Sequence, residues 1–273
     1  MNIVKKYNLI RDIIKNTKLD TSDIKGLIKL VTGFNSTQLI INDQYNLDEN
    51  QLENLELLVK RRLKGEPFHY LLGYKEFFSR EFKVTPDTLI PRPETELLVE
   101  QVLKLAGKSS KKVLELGTGS GCIAITCKLE NPLLDIVASD NYPATLKIAK
   151  ENAINFSADI KFIQSNWYQN INDKFDIIVS NPPYIAFDDE HLDQLQYEPQ
   201  YALTDNADGF RHIEEIARGG VSHLNNGGYL LLEHGYLQGC GTRQILLDAG
   251  FSEIQTLKDY AGLDRISYCA YTF

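Results

Sequence analysis

From residue 111 onward, short apolar runs alternate with longer amphipathic stretches, and this alternation restricts the fold more than any other feature of the chain. The predicted strands cover residues 112–116, 136–139, 160–164, 175–180 and 228–233. Helices are predicted after the first, second and fifth of them, and two further strands close the chain. Apolar strands separated by helices pair in parallel and bury both faces of their sheet. The pattern therefore predicts an α/β domain built on a mostly parallel, Rossmann-like sheet.

The first 73 residues show a different, helical periodicity. Apolar residues recur at helical spacing within 9–14, 24–31 and 52–63, which predicts a small helical bundle suited to recognition or packing. Residues 74–92 are predicted to form a β-hairpin linker, and Pro93 suits the first turn of the next helix. The expected domain organisation is thus a helical domain at 1–73, a hairpin linker at 74–92 and the α/β domain at 93–273.

The charge balance bears on nucleic acids as partners. A formal net charge of −8 over 273 residues disfavours a broad surface for phosphates, so no direct nucleic-acid partner is expected. The densest basic cluster, Lys60-Arg61-Arg62 with Lys64, lies at the end of a predicted helix, where cations suit the dipole. We interpret it first as a solvated helix end and second as a partner contact.

Cysteine usage and hydropathy indicate the compartment. The four cysteines form no CxxC pair and have no histidine at ligand spacing. Reduced thiols in a cytoplasmic protein without a metal site are therefore expected. No apolar run approaches the length of a membrane span, and the N-terminal residues mix charges with apolar side chains, unlike a signal peptide. We expect no membrane anchor.

A glycine-rich loop separates the first predicted strand of the α/β domain from its helix. Gly117, Gly119 and Gly121, with Thr118 and Ser120 between them, allow a tight turn and close approach of a ligand to the backbone. The following helix N-terminus offers N–H groups to an anion. These five residues are therefore predicted to bind a cofactor.

An acidic residue ends the next strand, about 20 residues after the loop, where a carboxylate can accept both hydroxyls of a ribose. This residue is Asp140, and ribose alone does not name the cofactor. A nicotinamide-dependent dehydrogenase would have G-x-G-x-x-G, but position 122 is Cys122. The G-x-G-x-G spacing with Glu115 two positions ahead instead resembles motif I of class I methyltransferases, which use S-adenosyl-L-methionine.

The tetrapeptide Asn181-Pro182-Pro183-Tyr184 follows the fourth predicted strand, at the sheet edge where ligands bind in such folds. Its groups suit methylation of a planar amide or amino nitrogen, whose delocalised lone pair is a poor nucleophile. The Asn181 oxygen and the Pro182 carbonyl can accept both N–H groups, while Tyr184 can stack on the flat group. Asn181, Pro182 and Tyr184 are predicted to be catalytic, and all four residues to bind substrate.

Five segments occur in the order found in the PrmC/HemK family of release factor glutamine methyltransferases: 89–96 (LIPRPETE), 115–121 (ELGTGSG), 181–184 (NPPY), 231–235 (LLEHG) and 259–265 (DYAGLDR). The resemblance extends over nearly the whole chain, including the N-terminal helical domain. It implies a class I methyltransferase domain at 93–273 and a substrate-recognition domain at 1–73.

The resemblance also implies a reaction that modulates translation termination. Methyl would pass from S-adenosyl-L-methionine to the glutamine amide of the Gly-Gly-Gln motif in class I peptide chain release factors, leaving S-adenosyl-L-homocysteine. Gly117 to Gly121, Asp140 and Asn181 are the cofactor residues by position. Trp167 matches the aromatic residue beside the adenine, although a core position is an equal alternative.

Two further positions bear on this resemblance. The family often has Asp where this chain has Asn166, an uncharged side chain that would form a weaker hydrogen bond to the adenine. Arg92 either lines the site or is an exposed side chain on a rigid linker.

Three alternatives remain open from sequence. A nucleic-acid N-methyltransferase shares the chemistry but is disfavoured by the acidic balance and the absence of a target-recognition domain. A dehydrogenase is disfavoured by the glycine spacing. A non-catalytic scaffold that binds through its helical domain is disfavoured by the glycine loop, Asp140 and the tetrapeptide.

Overall fold

The computed structural model describes residues 7–272, which form two compact units that divide between Tyr74 and Lys75. Each unit has a hydrophobic core of its own. No helix in the described range is long and apolar enough to cross a membrane. The four cysteines are free thiols, three of them buried.

The N-terminal unit is helical, as its periodicity predicts. Its helices are α1 (Ile10–Asn16), α2 (Thr21–Thr32), α3 (Ser36–Ile41), α4 (Glu49–Leu63) and α5 (Phe68–Leu72). Asn35 and Asp48 begin α3 and α4 with capping boxes, in which a side chain and a backbone N–H are satisfied reciprocally. The predicted helices correspond to α1, α2 and α4. The short α3 and α5 lack enough turns to show a periodicity.

Three of the four cations in the basic cluster at the end of α4 form ion pairs within their own unit. Arg61 Nε donates to Glu66 Oε2 at 2.7 Å, and Arg62 Nε donates to Asp23 Oδ2 at 2.6 Å. Lys60 also forms an ion pair, with a glutamate one turn earlier. Paired cations attract phosphates weakly, which agrees with the first interpretation of this cluster.

The predicted hairpin is formed by β1 (Tyr74–Phe77) and β2 (Arg80–Lys83). Its turn residues are Phe78 and Ser79, both with positive φ, as a two-residue turn of this kind requires. Sequence assigned this hairpin to a linker. In the structure Phe77 and Phe82 are fully buried in the core of the second unit.

The second unit is an α/β domain around one mixed sheet. Its strands are β3 (Lys112–Leu116), β4 (Asp135–Asp140), β5 (Lys161–Gln164), β6 (Phe175–Ser180), β7 (Leu224–Glu233), β8 (Ser252–Lys258) and β9 (Asp264–Tyr271). They are ordered β5-β4-β3-β6-β7-β9-β8, in which β9 pairs antiparallel with β7 and β8 and the remaining neighbours pair in parallel. The predicted Rossmann-like fold is therefore confirmed.

Helices cover both faces of this sheet. They are α6 (Glu96–Ala106), α7 (Cys122–Glu130), α8 (Pro143–Asn155), α9 (Arg211–His223) and α10 (Gly239–Asp248). Successive strand residues point to opposite faces: Val113 packs with α6 and α7, whereas Leu114 packs with α9 and α10. Burial on both sides explains the continuous apolar runs in sequence.

The strand order creates a crevice at the carboxyl ends of β3 and β6. The chain leaves β3 for β4 and β5 on one side, then crosses to β6 on the other side of β3. Such a switch point is where open α/β sheets bind ligands. The glycine loop follows β3 and the tetrapeptide follows β6, so the fold brings the two predicted motifs together.

Candidate active site

A cavity opens at the switch point, with about 980 Å³ of empty space including its open mouth. Most of the predicted site residues line it: Gly117, Thr118, Gly119, Ser120, Asp140, Trp167, Asn181 and Pro183. Gly121, Pro182 and Tyr184 do not. Gly121 is the N-cap of α7, Pro182 is buried and Tyr184 points its hydroxyl at Glu233.

The glycine loop has the backbone that its composition predicts. Gly117, Gly119 and Gly121 have φ values of 71°, 58° and 82°, in the left-handed region that side chains rarely adopt. A Cβ built on Gly119 would meet no atom within 4 Å in the described chain. A ligand can therefore approach the backbone closely at this position.

A buried carboxyl group is hydrogen-bonded to the glycine loop and to the first turn of α7. Glu115 Oε2 accepts hydrogen bonds from Thr118 Oγ1 at 2.6 Å and from the Ala124 N–H of α7 at 3.1 Å. One of the helix N-terminal N–H groups expected for an anion is therefore already taken. Glu115 Oε1 has no hydrogen-bond partner within the described residues. Burial raises the pKa of Glu115 from 4.5 to about 8.

This raised pKa predicts how stability depends on pH. Between pH 4.5 and about 8 the folded chain keeps the Glu115 proton that the unfolded chain has lost. The folded state then binds more protons, so the free energy of unfolding falls as pH rises through this window, by at most about 1.4 kcal/mol per pH unit. Glu115→Gln should remove this contribution, which denaturant unfolding followed by circular dichroism at several pH values would measure. Parallel pH profiles for the two proteins would contradict the prediction.

Asp140 ends β4 and tethers the loop through its carboxylate. Its Oδ2 accepts the Gly119 N–H at 3.1 Å, and its Oδ1 accepts the Tyr142 N–H at 3.0 Å. Burial raises the pKa of this carboxyl, while the backbone hydrogen bonds oppose the shift. A carboxylate has about four lone-pair sites, so Asp140 keeps acceptor capacity for a ligand.

An aromatic group forms one side of the cavity. The Trp167 ring centroid lies 5.1 Å from that of His212, and the Trp167 ring also contacts the apolar core. A Cβ on Gly117 would lie 3.6 Å from this ring. Trp167 is therefore both a cavity wall and a core contact, and its place beside an adenine stays a prediction. Asn166, where the family often has Asp, also lines the cavity.

The segment before α6 also contributes to the cavity wall. Arg92 lines the cavity and donates through Nη2 to Glu198 Oε1 at 2.6 Å, while Glu198 Oε2 accepts the Ile90 N–H. Arg92 is thus part of the cavity wall. Sequence missed the stacked rings of Tyr142 and Tyr201, whose centroids are 3.7 Å apart.

The tetrapeptide is held by two residues that sequence did not assign to the site. Asn181 Nδ2 donates to Thr95 Oγ1 at 3.1 Å, and Tyr184 OH donates to Glu233 Oε1 at 3.2 Å. Thr95 and Glu233 lie in the quoted motifs 89–96 and 231–235, which was the signal for finding them. Burial raises the pKa of Glu233 to about 7, and the pKa of Tyr184 is also raised by burial.

The backbone of the tetrapeptide is fixed by contacts further along the chain. Gln238 Nε2 donates at 3.1 Å to the carbonyls of Tyr184 and Gly209, while its Oε1 accepts the Gly235 N–H. The Ile185 N–H donates to the Leu203 carbonyl at 3.0 Å. Gly209 has a φ of 86°, and a Cβ there would lie 2.5 Å from the Tyr184 carbonyl oxygen.

Gly209→Ala should therefore disturb the tetrapeptide directly. The clash with a backbone oxygen adds to the strain of a positive φ. We therefore expect the free energy of unfolding to fall by about 1–3 kcal/mol and turnover to decrease. Gly262→Ala is the matched control, because its φ is 80° but its Cβ would meet nothing within 4 Å in the described chain. Thermal unfolding and turnover of both variants would measure this, and equal turnover would contradict the prediction.

Comparisons with known proteins agree with this architecture. The chain matches the family model of the methyltransferase small domain over residues 93–197 and that of the PrmC N-terminal domain over residues 12–73. The release factor glutamine methyltransferase of Neisseria gonorrhoeae is 42% identical over 260 residues, covering 93% of this chain and 95% of that one. The Coxiella burnetii protein of the same name is 42% identical over 262 residues, covering 95% of each.

Solved structures share the fold at lower identity. A methyltransferase from Pyrococcus furiosus superposes with a TM-score of 0.55 at 19% identity, covering 78% of this chain and 98% of that one. The T. thermophilus 16S rRNA N2 G1207 methyltransferase, solved with AdoMet and guanosine, gives 0.53 at 17% identity, covering 72% and 49%. Identities this low establish the fold alone.

The sheet order and these fold neighbours show a Rossmann-like domain, and the match to the methyltransferase small domain model together with the sequence relatives defines its class, a Rossmann-like methyltransferase. The similarity to its sequence relatives is far greater and continues along nearly the whole chain. The chain belongs to the release factor glutamine methyltransferase family. The enzyme class and the family predicted from the motifs are thereby confirmed.

Proposed function

We propose that the protein transfers a methyl group from S-adenosyl-L-methionine to the side-chain amide nitrogen of the glutamine in the Gly-Gly-Gln motif of class I peptide chain release factors. Its family relatives carry the name release factor glutamine methyltransferase. One observation carries the proposal further. Asn181 uses its Nδ2 on Thr95, and its Oδ1 accepts no hydrogen bond from residues 7–272, so this oxygen is available to a substrate amide.

The cavity residues suit the proposed cofactor. The bare backbone at Gly119 allows close approach, and the unpaired Glu115 Oε1 can accept from the amino group of the methionine part once the carboxyl has lost its proton. Asp140 has lone pairs for ribose hydroxyls, and Trp167 offers a flat apolar surface to a base. When bound, S-adenosyl-L-methionine supplies an electrophilic methyl group. Among the described residues, no group of three or more His, Cys, Asp or Glu side chains could hold a metal ion.

The tetrapeptide would orient the glutamine amide so that its nitrogen can accept the methyl group. Its nitrogen has a delocalised lone pair, so attack requires that the amide be held in one orientation. Asn181 Oδ1 and the Pro182 carbonyl would accept its two N–H groups, and the Tyr184 ring would cover its flat face, although of these three residues Asn181 alone lines the cavity in this structure. Orientation of this kind contributes roughly 7–11 kcal/mol in well-aligned intramolecular reactions.

The remaining assignments follow from this reaction. We assign methyl transfer to residues 93–273 and recognition of the release factor to the helical domain at 1–73. Because release factors act on ribosomes, we expect the protein to work in the cytoplasm, without a direct nucleic-acid partner.

The test uses radiolabelled S-adenosyl-L-methionine and three acceptors. These are an unmethylated release factor, the same factor with alanine in place of the Gly-Gly-Gln glutamine, and an unmethylated DNA duplex. We expect label on the first acceptor only, located at that glutamine by mass spectrometry. Label on DNA alone would replace the substrate assignment by a nucleic acid. Label on no acceptor would contradict the proposed function.

A further inference from the structure

A series of linked hydrogen bonds extends from the tetrapeptide into the core. Asn181 Nδ2 lies 3.1 Å from Thr95 Oγ1, which lies 2.8 Å from Glu233 Oε2. The other carboxyl oxygen of Glu233 accepts the Tyr184 hydroxyl at 3.2 Å. Thr95 is 3% exposed and Glu233 is 1% exposed, so water does not compete for these contacts.

The donor and the acceptor in each of these hydrogen bonds follow from which groups carry a proton. Above its pKa of about 7, Glu233 is ionised and can only accept, so Thr95 must donate its single hydroxyl proton to Glu233. The Thr95 oxygen is then left as an acceptor, and the only part of the Asn181 amide that can satisfy it is the NH₂ group. The carbonyl oxygen of the amide is thereby turned away from Thr95. An ionised Glu233 thus determines which end of the Asn181 amide faces away from the core.

We propose that Thr95 and Glu233 are positioning residues for methyl transfer, which fix the Asn181 amide so that Oδ1, and not Nδ2, is presented to the substrate nitrogen. The inference rests on the proposed function, because the flipped amide would present a donor to a substrate group that has only donors to offer. A rotated Asn181 would therefore repel the amide N–H that it is meant to hold.

Neither residue is explained by stability alone. Thr95 is the N-cap of α6, yet its side chain makes no capping hydrogen bond within the described chain, so its hydroxyl serves Glu233 and Asn181 instead. Glu233 forms no ion pair in residues 7–272, although Arg265 attracts it from nearby and Glu94 repels it. A buried carboxyl without an ion-pair partner weakens folding, which argues that its role lies in the site.

Two substitutions of Thr95 separate positioning from packing. Thr95→Val keeps the shape but removes the hydroxyl, whereas Thr95→Ser keeps the hydroxyl and removes only a methyl group. With the release factor as acceptor, we expect Thr95→Val to lower kcat at least about tenfold and Thr95→Ser to stay within about threefold of wild type. The Kd for S-adenosyl-L-homocysteine should change less than about twofold in both. A Thr95→Val enzyme with wild-type kcat would overturn the inference.

A measurement on the unmutated protein covers the case in which Thr95→Val fails to fold. In a ¹⁵N-labelled sample the Asn181 side-chain NH₂ signal is assigned by its loss in Asn181→Ala. We expect one of its two protons to be protected from exchange with solvent, because that proton is donated to buried Thr95. Equal, rapid exchange of both protons would overturn the inference. A wild-type enzyme that fails to methylate glutamine would instead contradict the proposed function, whatever the exchange shows.

Discussion

Asn181→Ala is expected to lower methyl transfer to the release factor by about 10²–10³-fold, the range found when one preorganised polar group is removed from an active site. The variant loses the oxygen proposed to hold the substrate amide, while the glycine loop and Asp140 keep their contacts. The Kd for S-adenosyl-L-homocysteine should therefore change far less than kcat. Single-turnover kinetics with the release factor, together with calorimetric titration of the cofactor product, would measure both quantities.

Asn181→Asp is the informative companion. It keeps an acceptor oxygen but loses the Nδ2 donor to Thr95, and it introduces a charge next to the buried Glu233 network. We expect its activity to be low as well, because the new carboxylate, which replaces the donor to Thr95, repels the Thr95 oxygen and lies close to the buried carboxyl of Glu233. Turnover in Asn181→Ala at the wild-type rate would remove Asn181 from the mechanism.

Asp140→Ala is expected to raise the Kd for S-adenosyl-L-methionine by about 10–100-fold, since hydrogen bonds to a charged group contribute roughly 1.5–3 kcal/mol. The carboxylate would accept ribose hydroxyls, and it also holds the Gly119 N–H of the loop. Both losses weaken cofactor binding, whereas kcat at saturating cofactor should fall much less. Calorimetric titration and initial rates over a range of cofactor concentrations would separate the two effects.

The matched control lies on the same strand. Asp135 is exposed at the opposite end of β4, so Asp135→Ala removes the same charge from the same element without touching the cavity. An unchanged Kd in Asp140→Ala, or an equal rise in both variants, would contradict the ribose role. Asp140→Asn should fall between alanine and wild type because it keeps one acceptor oxygen.

The strands were predictable because burial on both faces leaves continuous apolar runs. Strands β3 and β6 have the predicted limits, and the other predicted strands differ from β4, β5 and β7 mainly at their ends. Helix α9 escaped prediction although it is amphipathic, since Gly219 and Gly220 weaken its helical signal. A Cβ on Gly219 would lie 2.3 Å from the Tyr168 ring. Close packing therefore requires a residue that local propensity disfavours.

Only part of the candidate active site could be predicted from sequence, for a similar reason. The glycine loop, Asp140 and the tetrapeptide are local motifs whose position after a strand already predicts the sheet edge. The contact between Thr95 and Glu233 joins residues 138 positions apart, and no local pattern reports a pairing of that kind. Sequence included both residues in motifs but could give neither a role, because the role depends on which neighbour takes their protons.

Trp167 is the single tryptophan of the chain, and it forms a wall of the cavity. Its intrinsic fluorescence therefore originates at one known place, next to the imidazole of His212. A change in emission on adding cofactor would report an event in the cavity without any attached dye. The N-terminal helical unit, having no tryptophan, would be silent at wavelengths that excite tryptophan alone, so loss of its structure could pass unnoticed in such an assay.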